Sequence, residues 1–272
     1  MKRNLLAAAA LLFAVSAYAA SMEEIVDMLV SAKTDGGTEQ AGVLTIIKGD
    51  QPQALVLLMP GDPGVTRAEV ADGKITNIRM RGHVFYRMRH LLVRPGLAAV
   101  LVDCRSDIGD ACRENYLLSK ERTADVAKLV ARVKQDVPTV KKVWVAGHSL
   151  GGHSSASMAR YGEGVVDGAI HASPVLAQNR TYSMLTTWDY SSAKVPQLFI
   201  SQRDDPCVGT RASVVQDVAR RYNVPIVIVT QSGGAKGPAC GAYSEHSFAG
   251  AEQILMDTIA AAVDRGVDQF RH

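Results

Sequence analysis

The chain has 272 residues, 47% of them hydrophobic and 21% charged, with a formal net charge of +3. That length supports one sizeable hydrophobic core, and the composition excludes a disordered or low-complexity chain. Setting aside Lys2 and Arg3, which lie in an N-terminal leader, leaves about +1 and no block of like charge, so nucleic acid is not an expected partner.

The leader opens the chain. Lys2 and Arg3 precede an apolar run over 5–15, and Ala17-Tyr18-Ala19 supplies a small-x-small cleavage pattern. This is the layout of a secretory signal peptide over 1–19, and about 11 apolar residues fall well short of the ~20 a membrane span needs. Residues 20–272 then read as a single domain with no membrane span. Residues 43–48 and 54–59 read as strands, the first ended by Gly49-Asp50 and the second by Pro60-Gly61, and they are expected to pair as an antiparallel hairpin. Helical material follows over 85–92. Its neighbourhood carries Arg79, Arg81, Arg87, Arg89 and Arg94, read as a solvated face. A third apolar run spans 98–103. The spacing of Val126, Leu129, Val130 and Val133 predicts an amphipathic helix. Strands are predicted at 143–146, 165–170, 197–201 and 225–230, and a last helix carries Ile254, Leu255 and Ile259 and ends near Gly266.

Continuous apolar strands suit a sheet covered on both faces, and strand–helix alternation suits parallel crossovers. The expected fold is therefore α/β: a doubly wound, mostly parallel sheet with helices on both faces. Sites in such sheets lie beyond the carboxyl ends of the strands. The four cysteines, Cys104, Cys112, Cys207 and Cys240, are an even count in an exported chain and imply two disulfides, with three pairings open. No spacing typical of zinc ligands accompanies them, and no nucleotide or metal motif implies a cofactor.

After the 143–146 strand comes Gly147-His148-Ser149-Leu150-Gly151, followed by the small residues Gly152, Ser154, Ser155 and Ala156. A G-x-S-x-G between a strand and a helix forces the serine onto a sharp turn with its hydroxyl exposed. Glycines at 147 and 151 are required where strand and helix approach. The helix start aims backbone N–H groups at the site, which makes the Leu150 N–H one oxyanion donor.

On these residues the chain resembles the α/β-hydrolase superfamily over roughly 43–266. The resemblance implies a triad in the order nucleophile, acid, histidine. Gln202-Arg203-Asp204-Asp205-Pro206 follows the 197–201 strand, so Asp204 and Asp205 compete for the acid. Asp205, with Val208 three residues on, resembles the family's Asp-x-x-Val placement. His246 lies in the loop before the last helix, where the family places its base. The other internal histidines, His83, His90, His148, His153 and His171, read as packed or surface residues. Pro60-Gly61-Asp62-Pro63-Gly64 occupies the position of the family's His-Gly loop and assigns the second oxyanion donor to the N–H of Asp62; both Pro60 and an acidic side chain at 62 depart from the family pattern. The resemblance also implies that the acid and base loops meet, which pairs Cys207 with Cys240 and leaves Cys104 with Cys112. A cap would fall between 173 and 195, too short for a domain, where Tyr182 and Trp188 are the candidate substrate-binding residues. The expected activity is hydrolysis of a small-molecule carboxylic ester or related acyl bond. A peptidase on the same fold and a non-catalytic binding protein are the alternatives.

Overall fold

The computed structural model describes residues 24–178, 182 and 184–271; the expected leader lies outside them. In chain order the elements are β1 (Ile25–Lys33), β2 (Glu39–Ile47), β3 (Ala54–Met59), β4 (Glu69–Ala71), β5 (Lys74–Asn77), α1 (Val84–Leu92), β6 (Leu97–Val102), α2 (Glu114–Leu117), α3 (Lys120–Asp136), β7 (Lys142–His148), α4 (Gly151–Tyr161), β8 (Gly168–Ala172), β9 (Gln197–Gln202), α5 (Ala212–Tyr222), β10 (Ile226–Val229) and α6 (Glu252–Arg265). Eight strands form one sheet in the order β1-β2-β6-β3-β7-β8-β9-β10, and β4 and β5 form a separate ribbon. From β6 onward the neighbours are parallel; β1 with β2 and β2 with β6 are antiparallel. The sheet is the doubly wound α/β arrangement expected.

The central strands are apolar because both their faces are covered. Every residue of β3 and β6 is buried. Along β3, Val56 and Leu58 pack into the core shared with α1 and α6, and Leu55, Leu57 and Met59 into the core shared with α3. This alternation follows from the two-residue period of a strand. Each such side chain, fully buried, contributes about 1.5–3 kcal/mol.

Residues 43–48 and 54–59 do not form the expected hairpin. β6 lies between β2 and β3, antiparallel to the first (Gly42 opposite Val102) and parallel to the second (Val56 opposite Ala99). The turn after β2 joins the start of β6 instead, since Asp50 Oδ2 accepts the Gly96 N–H at 3.0 Å. One sheet edge is β1, whose Asp27, Ser31 and Lys33 interrupt its apolar pattern. The strand expected at 165–170 starts only at Gly168. A Cβ at 168 would meet the Trp144 ring at 2.5 Å, while the Val165 and Val166 N–H groups close the turn after α4 on the Gly162 carbonyl at 2.9 Å. The arginine-rich stretch is neutralised piecewise: Arg79, Arg87, Arg89 and Arg94 pair with Asp110, Glu252, Asp27 and Asp257.

The chain steps from β3 through α1 to β6 on one side, then from β6 through α3 back to β7 on the other. The segments leaving the adjacent carboxyl ends of β3 and β7 therefore diverge, opening the crevice at which ligands of such sheets bind.

Candidate active site

Ser149 sits between β7 and α4 with φ 55°, a left-handed conformation that a non-glycine residue adopts at a cost of about 1–3 kcal/mol. Its neighbours are glycine for steric reasons. A Cβ on Gly147 would lie 2.2 Å from the Gly151 carbonyl oxygen, and one on Gly151 would lie 2.1 Å from that of Met59. The turn is tied to the sheet by the Ser149 N–H, which donates to the Ala172 carbonyl at 3.0 Å. The Leu150 N–H at the start of α4 has no backbone acceptor among the described residues.

Beyond β9, Asp205 accepts the Cys207 N–H on Oδ1 at 2.9 Å and the Thr210 hydroxyl on Oδ2 at 2.8 Å. His246 Nδ1 lies 3.0 Å from the same Oδ2 and 3.0 Å from Thr210 Oγ1. Because the Thr210 proton goes to Asp205, the Nδ1–H of His246 is the donor to both oxygens, which fixes its tautomer and leaves Nε2 bare. Both side chains are essentially closed to solvent, at 0% and 2% exposure. Asp204 points outward and pairs with Arg203 at 2.9 Å.

The Pro60–Gly64 turn leaves β3 directly against the nucleophile turn: a Cβ on Gly61 would lie 3.0 Å from the Ser149 Cβ. Asp62 precedes a cis Pro63, and its N–H has no backbone acceptor among the described residues. Its carboxylate accepts the Tyr182 hydroxyl at 2.5 Å. Burial, and then this bond, push the Tyr182 hydroxyl above the ordinary tyrosine range. The turn is braced by the Cys112 N–H on the Pro63 carbonyl at 2.8 Å.

Ser149, His246, Gly61, Asp62 and Tyr182 line one cavity of about 580 Å³, with Met80, Val175, Pro206, Val208, Ala239 and Ala242 as its apolar walls and Arg79 at its edge. Trp188 does not line it; it stacks under the Arg160 guanidinium at 3.7 Å, in the core beside α5. Cys207 is bonded to Cys240, also in the cavity wall, with Cα atoms 4.7 Å apart, and Cys104 to Cys112 at 5.9 Å. Among the described residues no group of His, Cys, Asp or Glu is placed to hold a metal ion, and no helix is long and apolar enough to cross a membrane.

The sequence reading missed Thr210, the apolar walls and two histidines. His83 and His148 are not independent packing residues; they lie in contact, beside the site. Only the adjacency of His148 to Ser149 hinted at this.

Comparisons with known proteins agree with this fold. A family model described as serine aminopeptidase, S33, matches residues 119–231, a span that holds Ser149 and Asp205 and ends before His246. An α/β serine hydrolase without lid from Xanthomonas campestris superposes with a TM-score of 0.54 at 15% identity, over 90% of this chain and 94% of that one. An esterase from Pyrococcus furiosus gives 0.56 at 14% identity, over 91% and 93%. An S-formylglutathione hydrolase from Staphylococcus aureus gives 0.51 at 13%, over 88% and 97%. No curated protein matches the sequence.

Proposed function

We propose that this chain, an α/β-hydrolase by fold, is an exported serine hydrolase that cleaves a carboxylic ester through an acyl-enzyme on Ser149. The observation that carries the reading is the buried Asp205–His246 bond of 3.0 Å in the wall of the same cavity as a serine held at φ 55°. A serine hydroxyl is a poor nucleophile unless a base takes its proton. In this reading His246 Nε2 removes the Ser149 proton as Oγ attacks the ester carbonyl carbon. The electron pair moves to the carbonyl oxygen, where the N–H groups of Leu150 and Asp62 receive it. Asp205 stabilises the imidazolium and keeps its tautomer. The imidazolium then protonates the departing alkoxide, which leaves as the alcohol. A water molecule, deprotonated by His246 in turn, attacks the acyl-enzyme and releases the acid.

The lining supports a small substrate. A cavity of this size with mostly apolar walls takes a compact acyl or alcohol group, with Tyr182 and Asp62 on one side of it. Export is part of the proposal: the leader over 1–19 supports it, and two disulfides are compatible with an oxidising compartment.

The family match to serine aminopeptidases favours a second reading, an amide-cleaving enzyme with the same machinery. Parallel assays on short-chain aryl esters and aminoacyl anilides separate the two. The test of the shared chemistry is labelling with a fluorophosphonate followed by peptide mass spectrometry. An adduct on Ser149 that disappears in His246→Ala is the expected result; a folded, disulfide-bonded protein that takes no label is a binding protein instead.

A further inference from the structure

The residue between Gly147 and the nucleophile is a histidine that borders the cavity and is almost wholly buried. His148 is 2% exposed, and His83, at the N-terminus of α1, is 8% exposed. His148 Nε2 lies 2.9 Å from the backbone carbonyl oxygen of His246. His148 Nδ1 lies 3.2 Å from His83 Nε2. His83 Nδ1 lies 3.1 Å from the Phe85 N–H, and His83 Nε2 is also 2.8 Å from the Gly61 N–H.

A carbonyl oxygen only accepts, so His148 Nε2 carries a hydrogen, and because a neutral ring has one N–H its Nδ1 is bare. His83 Nε2 accepts the Gly61 N–H at 2.8 Å, and its Nδ1 faces the Phe85 N–H at 3.1 Å at the start of α1. The two rings meet edge to face, with centroids 5.1 Å apart. Burial keeps both rings neutral, lowering His83 to about 3 and His148 well below the ordinary histidine range, with the charge of His246 adding to the effect.

We propose that His83 and His148 are positioning residues: the Nε2–H of His148 ties the main chain of the base to the nucleophile turn, and the His83 ring packed against it holds the oxyanion turn by accepting the Gly61 N–H. The pair of rings thereby joins the base's loop, the nucleophile turn and the oxyanion turn. What they fix is the main chain that carries the His246 ring. The proposal rests on the hydrolase reading.

The test compares His148→Leu and His148→Gln with the wild type in fluorophosphonate labelling and hydrolysis of an aryl acetate. The glutamine amide donates to the His246 carbonyl; leucine cannot. The expected result is a fall in kcat of about 10- to 100-fold for His148→Leu with KM within about twofold, and recovery of most of it in His148→Gln, since misplacement of a catalytic group by about 1 Å costs rate on that scale. A second readout needs no variant: nitrogen-15 NMR of the full chain should show the Nε2–H tautomer on His148. Wild-type kcat in a folded His148→Leu, or an Nδ1–H tautomer on His148, overturns the positioning role. A wild type inert to the probe sinks the hydrolase reading and the positioning role with it, an outcome distinct from normal wild-type labelling with an unimpaired leucine variant.

Discussion

The backbone N–H of Cys207 donates to Asp205 Oδ1 at 2.9 Å, and the sulfur of the same residue is bonded to Cys240 in the loop leading to His246. One residue therefore holds the carboxylate and, through its cross-link, the segment that precedes the base. The closed loop is 33 residues in sequence separation, for which loop-closure entropy gives about 3–4 kcal/mol. Replacing Cys207 and Cys240 together by alanine should lower stability by about that much in urea melts and depress both kcat and the affinity for substrate, because Cys240 also lines the cavity. Unchanged turnover in the double variant would mean that the cross-link braces the fold without aligning the site.

The two adjacent aspartates should separate cleanly. Asp205→Asn is expected to reduce kcat by about 10⁴-fold, as loss of the orienting acid does in such triads. Asp204→Asn should leave it unchanged, since that carboxylate only makes an exposed pair with Arg203. Thr210→Val removes a donor to the charged carboxylate and should cost about tenfold in kcat, in line with about 1.5 kcal/mol for such a bond. A full loss in Asp204→Asn with activity retained in Asp205→Asn would reverse the assignment.

What could be read from the sequence was local. The Ser149 turn announces itself because clashes at 147 and 151 leave only glycine possible there, β3 and β6 announce themselves as unbroken apolar runs, and β7 and β9 as shorter apolar runs between polar residues. β1 does not, since Asp27, Ser31 and Lys33 break its apolar run. The false hairpin came from reading Gly49-Asp50 as a two-strand turn; which strand lies beside β2 is decided by a partner 54 to 60 residues away in β6. α5 went unread although Val215 and Ala219 mark its buried face. Thr210 and His83 carry no motif at all. Each reaches its partner only through the tertiary fold, and His83 meets a ring 65 residues distant.

Acid should destabilise the protein from near neutrality. His83, His148, His153 and His171 are buried, and desolvation lowers all four, His153 and His171 to about 4 and His83 to about 3. In the unfolded chain they titrate near 6.5. These depressed values contribute stability that is fully present above about pH 6.5 and is lost as pH falls from there toward the folded values. Each ring costs about 1.4 kcal/mol per pH unit in that window. Urea midpoints should therefore fall steeply between pH 6.5 and about 4, and His171→Asn should flatten the slope by roughly one proton. A midpoint constant over that range would show that these rings protonate without unfolding.

Asp62 is the departure from the superfamily pattern with a direct energetic sign. Its carboxylate stands on the turn whose N–H is assigned to the oxyanion, so the negative charge opposes the charge that develops in the transition state. The Tyr182 hydroxyl holds that carboxylate at 2.5 Å, at the side of the cavity. Asp62→Asn keeps an oxygen for Tyr182 and removes the charge. Since the carboxylate is solvent-exposed, water screens most of the repulsion, and the expected gain in kcat is about three- to tenfold, larger at low salt. Tyr182→Phe frees the carboxylate and should lower kcat in the wild-type background. In the Asp62→Asn background the same change should do little, because no charge remains to restrain. A double-mutant cycle reads this coupling directly. Additive effects, or a fall in kcat on Asp62→Asn, would mean that the carboxylate contacts the substrate, as recognition of a cationic or hydroxyl-bearing alcohol group requires.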